Sequence, residues 1–285
     1  MKTSSPLRRT GEALLVAVVT IACAFLLRTF VVEAYRIPSA SMENTLLIGD
    51  LVLVNKLSYG LRTPGLFPFS SIRLTPSYLV SAGNVQRGDV IVFEFTMRSP
   101  DGLPADLSYY VKRCVGIPGD TVEIRQGRVF VNGLEMLPPS TVINPQFRRT
   151  LRREATFPEG AGFTDLDYGP IRVPHAGDVV PLTPETMKII RPIILHEGHN
   201  VWKNPGGEIR LDGNPADTYT VRGDYYFVLG DHRDNSSDSR MWGFVEHEEI
   251  VGEAMMVYWS TEDDRRRDVG AFRVVRWNRI GTLVR

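Results

Sequence analysis

The chain has 285 residues, of which 33 are Lys or Arg and 33 are Asp or Glu, so its formal net charge is zero. A nucleic-acid-binding surface normally brings a clear excess of basic residues, so this balance argues against a nucleic-acid partner. Hydrophobic residues make up 43% of the chain, an ordinary share for a globular protein. The two cysteines, Cys23 and Cys114, lie in segments of different character, and we predict neither a disulfide nor a metal site from them.

An apolar run near the N-terminus predicts one membrane-spanning helix. Residues 11–32 are almost uninterruptedly apolar, and about 20 such residues are needed to cross a bilayer. Lys2, Arg8 and Arg9 precede the run, so the positive-inside rule places residues 1–10 in the cytoplasm and the rest of the chain outside. A cleaved signal peptide or a buried core helix would also explain the run. No small-residue cleavage site follows it, and we predict an uncleaved anchor in the lipid bilayer.

Short segments rich in β-branched residues and separated by turn residues follow the anchor. Such segments are typical of strands, and Asn132-Gly133 is a strong signal for a tight turn between two of them. The chain is therefore predicted to be mainly β. The expected strands cover residues 50–54, 89–95, 109–115, 122–125, 128–131, 225–229 and 272–277.

Residues 137–218 differ in composition from the segments on either side. They are rich in Pro, Gly, Arg and Asp, and their apolar runs are short, which indicates a subdomain inserted between two core halves at 33–136 and 219–285. We expect the core to keep its chemistry when this insertion is replaced by a short linker. The apolar, turn-rich loop at 65–69 is expected to dip into the membrane interface, although packing against the core would explain it equally well.

A serine-rich turn is the first candidate for chemistry. Ser39 and Ser41 follow Pro38, which fixes the backbone and favours an extended conformation in its neighbour. Such a turn can present a hydroxyl beside backbone N–H groups, as an acyl-transfer nucleophile requires. Taken alone, the pattern fits an ordinary turn as well.

A lysine within a predicted strand is the second candidate. Lys112 shares one face of its strand with Tyr110 and Cys114, and burial of that face would lower the lysine pKa from ~10.4 to ~7–8, where it can act as a base. A strand lysine whose amine lies in solvent is the alternative. The chain offers few other candidates. Its five lysines are Lys2, Lys56, Lys112, Lys188 and Lys203.

A dense polar run, residues 230–240, is the third candidate. It follows a buried-type strand and is rich in Asp, Asn, Ser and Arg, side chains that hydrogen-bond their own backbone and rigidify loops. A solvated turn would have the same composition.

These three segments occur in this order behind an apolar anchor, and in that combination the chain resembles the type I signal peptidases (leader peptidases). The matching stretches are 37–50, 87–93, 110–120 and 230–245. The resemblance implies a signal-peptidase-like β catalytic core with a Ser–Lys dyad and no cofactor. It also implies secretory precursors bearing signal peptides as substrates, the protein secretion machinery as a further partner, and the bacterial cytoplasmic membrane as location.

The resemblance also implies roles for individual residues. Ser41 matches the nucleophile and Lys112 the general base. Ser39 matches the residue whose hydroxyl forms the oxyanion hole together with the backbone N–H of Ser41. Ser236 matches a serine that orients the lysine amine. The residues that match the walls of shallow pockets for small side chains are Tyr35, Ile37, Met42, Leu46, Tyr110 and Val111.

A structural ion pair and two departures complete this comparison. Asp238 and Arg240 match an ion pair beneath the site. Asn44 stands where the family often has proline, and His232 stands where it often has asparagine. A histidine there could act as a base, but we interpret it as a polar residue that supports the loop.

Two other functions also fit parts of the sequence. A self-cleaving repressor-type protease can use a Ser–Lys pair on a β fold, but the anchor and the lack of a DNA-binding helix pair argue against it. An inactive membrane-anchored homologue could serve as a binding module.

Overall fold

The computed structural model of the chain describes residues 6–64, 76–95, 108–143, 156–262 and 274–285. The loop 65–69, expected at the membrane interface, lies outside these residues. The helices are α1 (Pro6–Phe30), α2 (Pro184–His196) and α3 (Ser239–Trp242), with short 3-10 helices at Arg233–Asn235, His247–Glu249 and Trp277–Arg279. The strands are β1 (Val32–Arg36), β2 (Asp50–Asn55), β3 (Gly60–Arg62), β4 (Tyr78–Ser81), β5 (Val90–Phe95), β6 (Ser108–Gly116), β7 (Thr121–Arg125), β8 (Arg128–Val131), β9 (Leu134–Glu135), β10 (Tyr168–Arg172), β11 (Val179–Pro181), β12 (Val201–Lys203), β13 (Ile209–Leu211), β14 (Asn214–Pro215), β15 (Thr218–Thr220), β16 (Tyr225–Leu229), β17 (Val245–Glu246) and β18 (Ile250–Ser260).

Helix α1 is long and apolar enough to cross a membrane. Its segment Thr10–Phe30 has 21 residues, which span about 30 Å at the helical rise of about 1.5 Å per residue. Almost all of its apolar side chains are exposed, as expected of a helix that finds its apolar partner outside the protein. The helix ends at Phe30, before the predicted end at residue 32, because Val32 already pairs with Asn55 as the first residue of β1.

The main sheet has seven antiparallel strands in the order β1-β2-β18-β5-β6-β16-β17. Strand β6, which carries Lys112, lies between β5 and β16, with Lys112 opposite Ile91 and Cys114 opposite Val228. Strand β2 begins where the serine-rich turn ends. The mainly β prediction is confirmed, and the topology places the candidate serine turn and the candidate lysine strand in one sheet.

A second sheet, ordered β10-β7-β8-β9, packs against the main sheet through a shared apolar core. The predicted hairpin is confirmed as β7 and β8, which pair in register from Val122 opposite Val131 to Arg125 opposite Arg128. The Asn132-Gly133 turn then leads into β9, and both of its residues have positive φ, the conformation that favours these residue types.

The predicted insertion contains β10 to β15 and α2. Helix α2 was not predicted, although Thr183 forms a capping box at its start, because Pro192 within the helix obscures the helical pattern. Its apolar side chains join the core that lies under the second sheet, where Ile190 and Ile194 are buried with Val122 and Phe227. The domain boundaries stay a prediction, and removal of the whole segment would expose part of this core.

Two expectations about the C-terminal part fail. The long strand β18 was not predicted, although it lies between β2 and β5 in the main sheet. The strand expected at 272–277 is wrong for the residues described there. Val275 forms only an isolated bridge with Thr261, and a 3-10 helix starts at Trp277. The cause is Arg276, whose side chain turns inward to bond Ser260 rather than alternating along a sheet edge.

Gly116, the last residue of β6, lies where the two sheets come closest. A Cβ atom there would be 2.5 Å from Val122 Cγ2, 3.0 Å from Val173 Cγ2 and 3.3 Å from Phe227 Cβ. We therefore expect Gly116→Ala to lower the free energy of unfolding by about 1–3 kcal/mol, measured by chemical denaturation. Gly206→Ala is the control, because its Cβ would meet only the side chain of Asn204 at 3.4 Å. Equal stability of both variants would contradict this packing.

Candidate active site

The nucleophile turn, residues 37–49, connects β1 to β2 and carries Ser41. Its two ends are joined by backbone hydrogen bonds from Ile37 N to Asp50 O at 2.8 Å and from Gly49 N to Ile37 O at 3.0 Å. Inside the turn, Leu46 N donates to Met42 O at 2.7 Å. The turn is therefore a closed loop, and Ser41 has a fixed position at the edge of the sheet.

Asn44 gives this turn a conformation that proline cannot adopt. Its φ is 75°, in the left-handed region, which Asn tolerates better than most residues. Proline fixes φ near about −65°. The departure from the family pattern at this position is therefore accompanied by a different local backbone.

Lys112 lies against Ser41, with 2.8 Å between its Nζ and the Ser41 Oγ. The lysine is 2% exposed, and its amine also donates to Val111 O at 3.2 Å. The Tyr110 ring centroid lies 5.6 Å from Nζ on the same strand face. The structure therefore brings together the two residues that the sequence analysis singled out from segments 71 positions apart.

Burial lowers the pKa of Lys112 to about 8, because the charged ammonium loses its hydration. The negative charges of Asp238 and Asp231 act in the opposite direction and keep the shift from being larger. With a pKa near 8, roughly a tenth of the amine is neutral at pH 7. A neutral amine at hydrogen-bond distance from a hydroxyl can act as its general base.

The two other serines differ in their surroundings. Ser39 is exposed, and its Oγ lies 3.4 Å from the Ser41 Oγ. The Ser236 hydroxyl is buried beside Asp238 and, within the described part of the chain, makes no well-aligned hydrogen bond. Gly230 leaves room for it, because a Cβ atom there would lie 2.2 Å from Ser236 Oγ and 2.6 Å from Ser41 O. The role of Ser236 in orienting the amine stays a prediction.

Asp238 and Arg240 form a fully buried ion pair under the loop. The Arg240 Nε lies 2.9 Å from Asp238 Oδ1, and the Asp238 carboxylate also accepts from Gly230 N at 3.0 Å. Burial alone would raise the pKa of Asp238. The Arg240 charge and the hydrogen bonds to the carboxylate outweigh burial and hold this pKa below its ordinary value.

Four of the predicted wall residues belong to one apolar cluster beneath the nucleophile turn. This cluster contains Ile37, Met42, Leu46 and the partly buried Val111. The other two lie apart from it: Tyr110 packs on Phe93 with ring centroids 6.0 Å apart, and Tyr35 packs on Tyr109 at 4.8 Å. Their roles in substrate binding stay predictions.

A buried ion pair between Arg113 and Asp231 was missed by the sequence analysis. Arg113 reaches both Asp231 oxygens, at 2.8 and 2.6 Å, and donates to Gly88 O at 2.7 Å. The Asp231 carboxylate also accepts from Thr45 Oγ1 at 2.6 Å. This pair ties the lysine strand and the polar loop to the nucleophile turn. The signal was present in strand alternation, which places Arg113 on the face opposite Lys112.

Asp50 makes a second unpredicted network at the end of the nucleophile turn. Its carboxylate accepts from Ser260 Oγ at 2.6 Å and from Arg279 Nη2 at 2.5 Å, and Arg276 lies within 3.4 Å. Arg279 also donates to Thr45 O at 2.9 Å. The C-terminal residues therefore hold the turn from its outer side.

His232 contacts the nucleophile turn through both backbone and side chain. Its N–H donates to Ser41 O at 3.1 Å, and its Nδ1 lies 3.0 Å from Glu43 Oε2. These contacts agree with the interpretation of His232 as a residue that supports the loop.

Arg279→Met should lower the free energy of unfolding by about 2–3 kcal/mol, because buried Asp50 loses its shortest ion pair and keeps only Arg276 as a charged partner. Denaturant titration measures this. Arg125→Met is the control. Arg125 is exposed and pairs with exposed-side Glu123 at 2.5 Å, so we expect no measurable change. Similar losses for both variants would show that the Asp50 network has no special role.

Comparisons with known proteins agree with this site. A family model described as signal peptidase, peptidase S26, matches residues 9–259. Signal peptidase I of Pseudomonas fluorescens is 32% identical over 82% of this chain and 67% of its own. Signal peptidase I of Aquifex aeolicus is 31% identical over 84% of this chain and 80% of its own. A crystal structure of signal peptidase I from Enterococcus faecalis matches at 23% identity over 61% of this chain and 98% of its own, with a TM-score of 0.26, a superposition too poor to bear on the fold. From the family match and these identities, the chain belongs to the signal peptidase family, peptidase S26.

Proposed function

We propose that this protein is a membrane-bound serine endopeptidase that removes N-terminal signal peptides from secreted precursor proteins with a Ser41–Lys112 dyad. The observation that carries the proposal is the 2.8 Å contact between Ser41 Oγ and the buried Lys112 amine. Membership of the signal peptidase family supports the substrate class. The curated relatives, whose names give them as signal peptidase I, support it independently of the geometry.

The reaction proceeds through an acyl-enzyme. Neutral Lys112 accepts the Ser41 proton as Oγ attacks the scissile carbonyl carbon, and the carbonyl oxygen becomes an oxyanion. The Ser39 hydroxyl and the Ser41 backbone N–H donate to that oxygen. The protonated lysine then gives its proton to the leaving nitrogen, which departs as the N-terminus of the mature protein. Neutral once more, Lys112 takes a proton from water, and the resulting hydroxide releases the signal peptide from Ser41.

Cleavage after small residues follows from the limited space beside Ser41. The apolar cluster of Ile37, Met42 and Leu46 is already close-packed, so a large side chain could enter only by displacing core atoms. Displacing packed core side chains typically costs about 1–3 kcal/mol, and such steric rejection favours small residues without any specific attraction to them.

The protein is anchored in the bacterial cytoplasmic membrane by α1, with residues 1–10 inside and the catalytic core outside. This orientation brings Ser41 to the surface where signal peptides emerge. Glu33, just beyond α1, pairs with Arg28 and with Lys56, which ties the end of the anchor to the sheet. The protein secretion machinery would deliver the precursors to this surface.

Two rival functions remain testable. An inactive homologue would bind a precursor without cutting it, and a self-cleaving protease would cut only its own chain. Purified protein in detergent should cut a precursor in trans at the end of its signal peptide, as read by sequencing the new N-terminus. Binding without a new N-terminus would favour the inactive homologue.

Lys112→Arg should be as inactive as Lys112→Ala, with a loss of at least about a thousandfold in precursor cleavage. Arginine keeps the positive charge but is not deprotonated in proteins, so it cannot serve as a base. Ser41→Ala should match both variants, because residues that act as one unit have strongly non-additive effects. Lys56→Arg is the control, since Lys56 pairs with Glu33 and arginine can retain that pair. Near wild-type cleavage by folded Lys112→Arg protein would refute the dyad.

The pH dependence of kcat/KM should show a rising limb with an apparent pKa of about 8, the value to which burial lowers the Lys112 amine. Only the neutral amine is competent, so activity should fall about tenfold per pH unit below this pKa. Cleavage assays from pH 6 to 10 on the wild type and on Lys56→Arg should give the same limb. A limb near 6.5 would point to a histidine base, and a flat profile would exclude a titrating base in this range.

External protease added to intact spheroplasts should digest the chain after residue 32, because the basic residues before α1 retain the N-terminus inside. A tag on residues 1–10 should stay protected until the membrane is opened with detergent. Protection of the region after residue 32 in intact spheroplasts would contradict the proposed orientation.

A further inference from the structure

A cavity lies behind the lysine strand, between the main sheet and the second sheet. It is reached from the face of β6 that carries Arg113 and Val115, opposite the face of Lys112. Its volume is about 230 Å³. At about 30 Å³ for each water molecule in the liquid, this space corresponds to roughly eight waters. The cavity can therefore hold a small organic molecule, and the proposed cleavage mechanism makes no use of it.

Arg233, one of the residues that line this cavity, is a buried cation without an anionic partner. It is 5% exposed, and its Nε donates to Gly230 O at 3.0 Å. Among the residues that the structure describes, no carboxylate lies within ion-pair distance of it, and its two terminal nitrogens make no hydrogen bond. Two nitrogens of a guanidinium fork are therefore available to a ligand.

The neighbouring arginines already have partners. Arg113 binds both oxygens of Asp231, and Arg240 binds both oxygens of Asp238. The half-exposed Asp165 approaches Arg240, at 3.7 Å, and not Arg233. Of the five buried charged groups in this cluster, three are positive and two are negative, so one positive charge is left uncompensated at Arg233.

The charge on Arg233 persists at neutral pH. Burial, followed by repulsion from Arg240, lowers the pKa of Arg233 to about 10, which still leaves the group protonated. A buried, unpaired charge is costly, and proteins normally compensate such a charge with a counter-ion or a ligand. The shape of the guanidinium selects the ligand, because its fork matches the oxygens of a carboxylate or a phosphate.

We propose that this cavity is a binding site for a small oxyanion, a carboxylate or a phosphate held by Arg233, whose short apolar part contacts Val129, Met136, Pro138 and Pro139. These four residues form the apolar wall of the cavity. The ligand supplies the missing negative charge of the buried cluster. Since Arg233 holds Gly230 O and Gly230 N holds Asp238, the bound anion also stabilises the loop beneath the dyad. The site is independent of whether the protein cleaves precursors.

The test measures the melting temperature of the full chain in a non-ionic detergent during titration with sodium phosphate and with sodium butyrate. Sodium chloride at equal ionic strength is the reference. A ligand that binds only the folded state raises the melting temperature by mass action, with a shift of several degrees at about 100 times its Kd. We expect a saturable shift with at least one of the two oxyanions and none with chloride. A larger shift with butyrate would show that the apolar wall takes part.

Arg233→Met should weaken oxyanion binding at least about tenfold, because the charge-assisted fork is lost. In anion-free buffer this variant should melt no lower than the wild type, since an uncompensated buried charge has been replaced by an apolar side chain. Arg233→Lys, which keeps a charge but not the fork, should bind with intermediate affinity. Arg125→Met is the matched control. Arg125 lies on the same hairpin as the cavity residue Arg128 and pairs with Glu123, but it does not line the cavity.

Calorimetric titration of the wild-type protein keeps the proposal falsifiable if the variants fold poorly. Absence of saturable heat with both phosphate and butyrate would overturn it. Equal affinity of Arg233→Met and the wild type would overturn it as well, because the anion would then bind elsewhere.

Discussion

Removal of the Lys112 amine from water is the constraint on which the rest of the site depends. A lysine that kept its hydration would be almost entirely charged at neutral pH and could not accept a proton from Ser41. Strand β6 gives the side chain no route to solvent, because it lies inside the seven-stranded sheet between β5 and β16. An unprotonated amine is far less costly to bury than an ammonium, so the fold and the proposed chemistry favour the same protonation state.

Fixed geometry at Ser41 comes from buried acids that join segments distant in the sequence. Asp231 connects β6 to the nucleophile turn through Arg113 and Thr45, and Asp50 connects the same turn to the C-terminal residues through Arg279. Thr45 takes part in both networks, with its hydroxyl bonded to Asp231 and its carbonyl to Arg279. Such networks add little net stability, since desolvation offsets much of the attraction. They define one arrangement of the turn, and breaking one partner leaves an unpaired buried charge.

Local patterns predicted the parts of the fold that local physics determines. The apolar anchor, the β6 strand and the hairpin of β7 and β8 follow from composition, alternation and turn residues, and the approach of Lys112 to Ser41 agrees with the resemblance to signal peptidases. Features that depend on tertiary contacts were missed. Strand β18 is recognisable only once β2 and β5 are placed beside it, and Arg276 departs from a strand because its partner Ser260 lies 16 residues earlier. The partners of Asp50 and Asp231 could not be deduced, because nothing in the chain order specifies which of many arginines they meet.

Direct titration of the lysine amines by NMR tests the central claim most sharply. The chain contains only five lysines, so a spectrum of protein labelled with ¹⁵N-lysine has few Nζ signals, and the signal absent from Lys112→Arg assigns Lys112. The account predicts that this amine titrates near pH 8 in the folded protein, while the exposed lysines titrate near about 10.4. Titration of Lys112 together with the exposed lysines would mean that the amine is hydrated and charged at neutral pH, which would contradict its role as the base for Ser41.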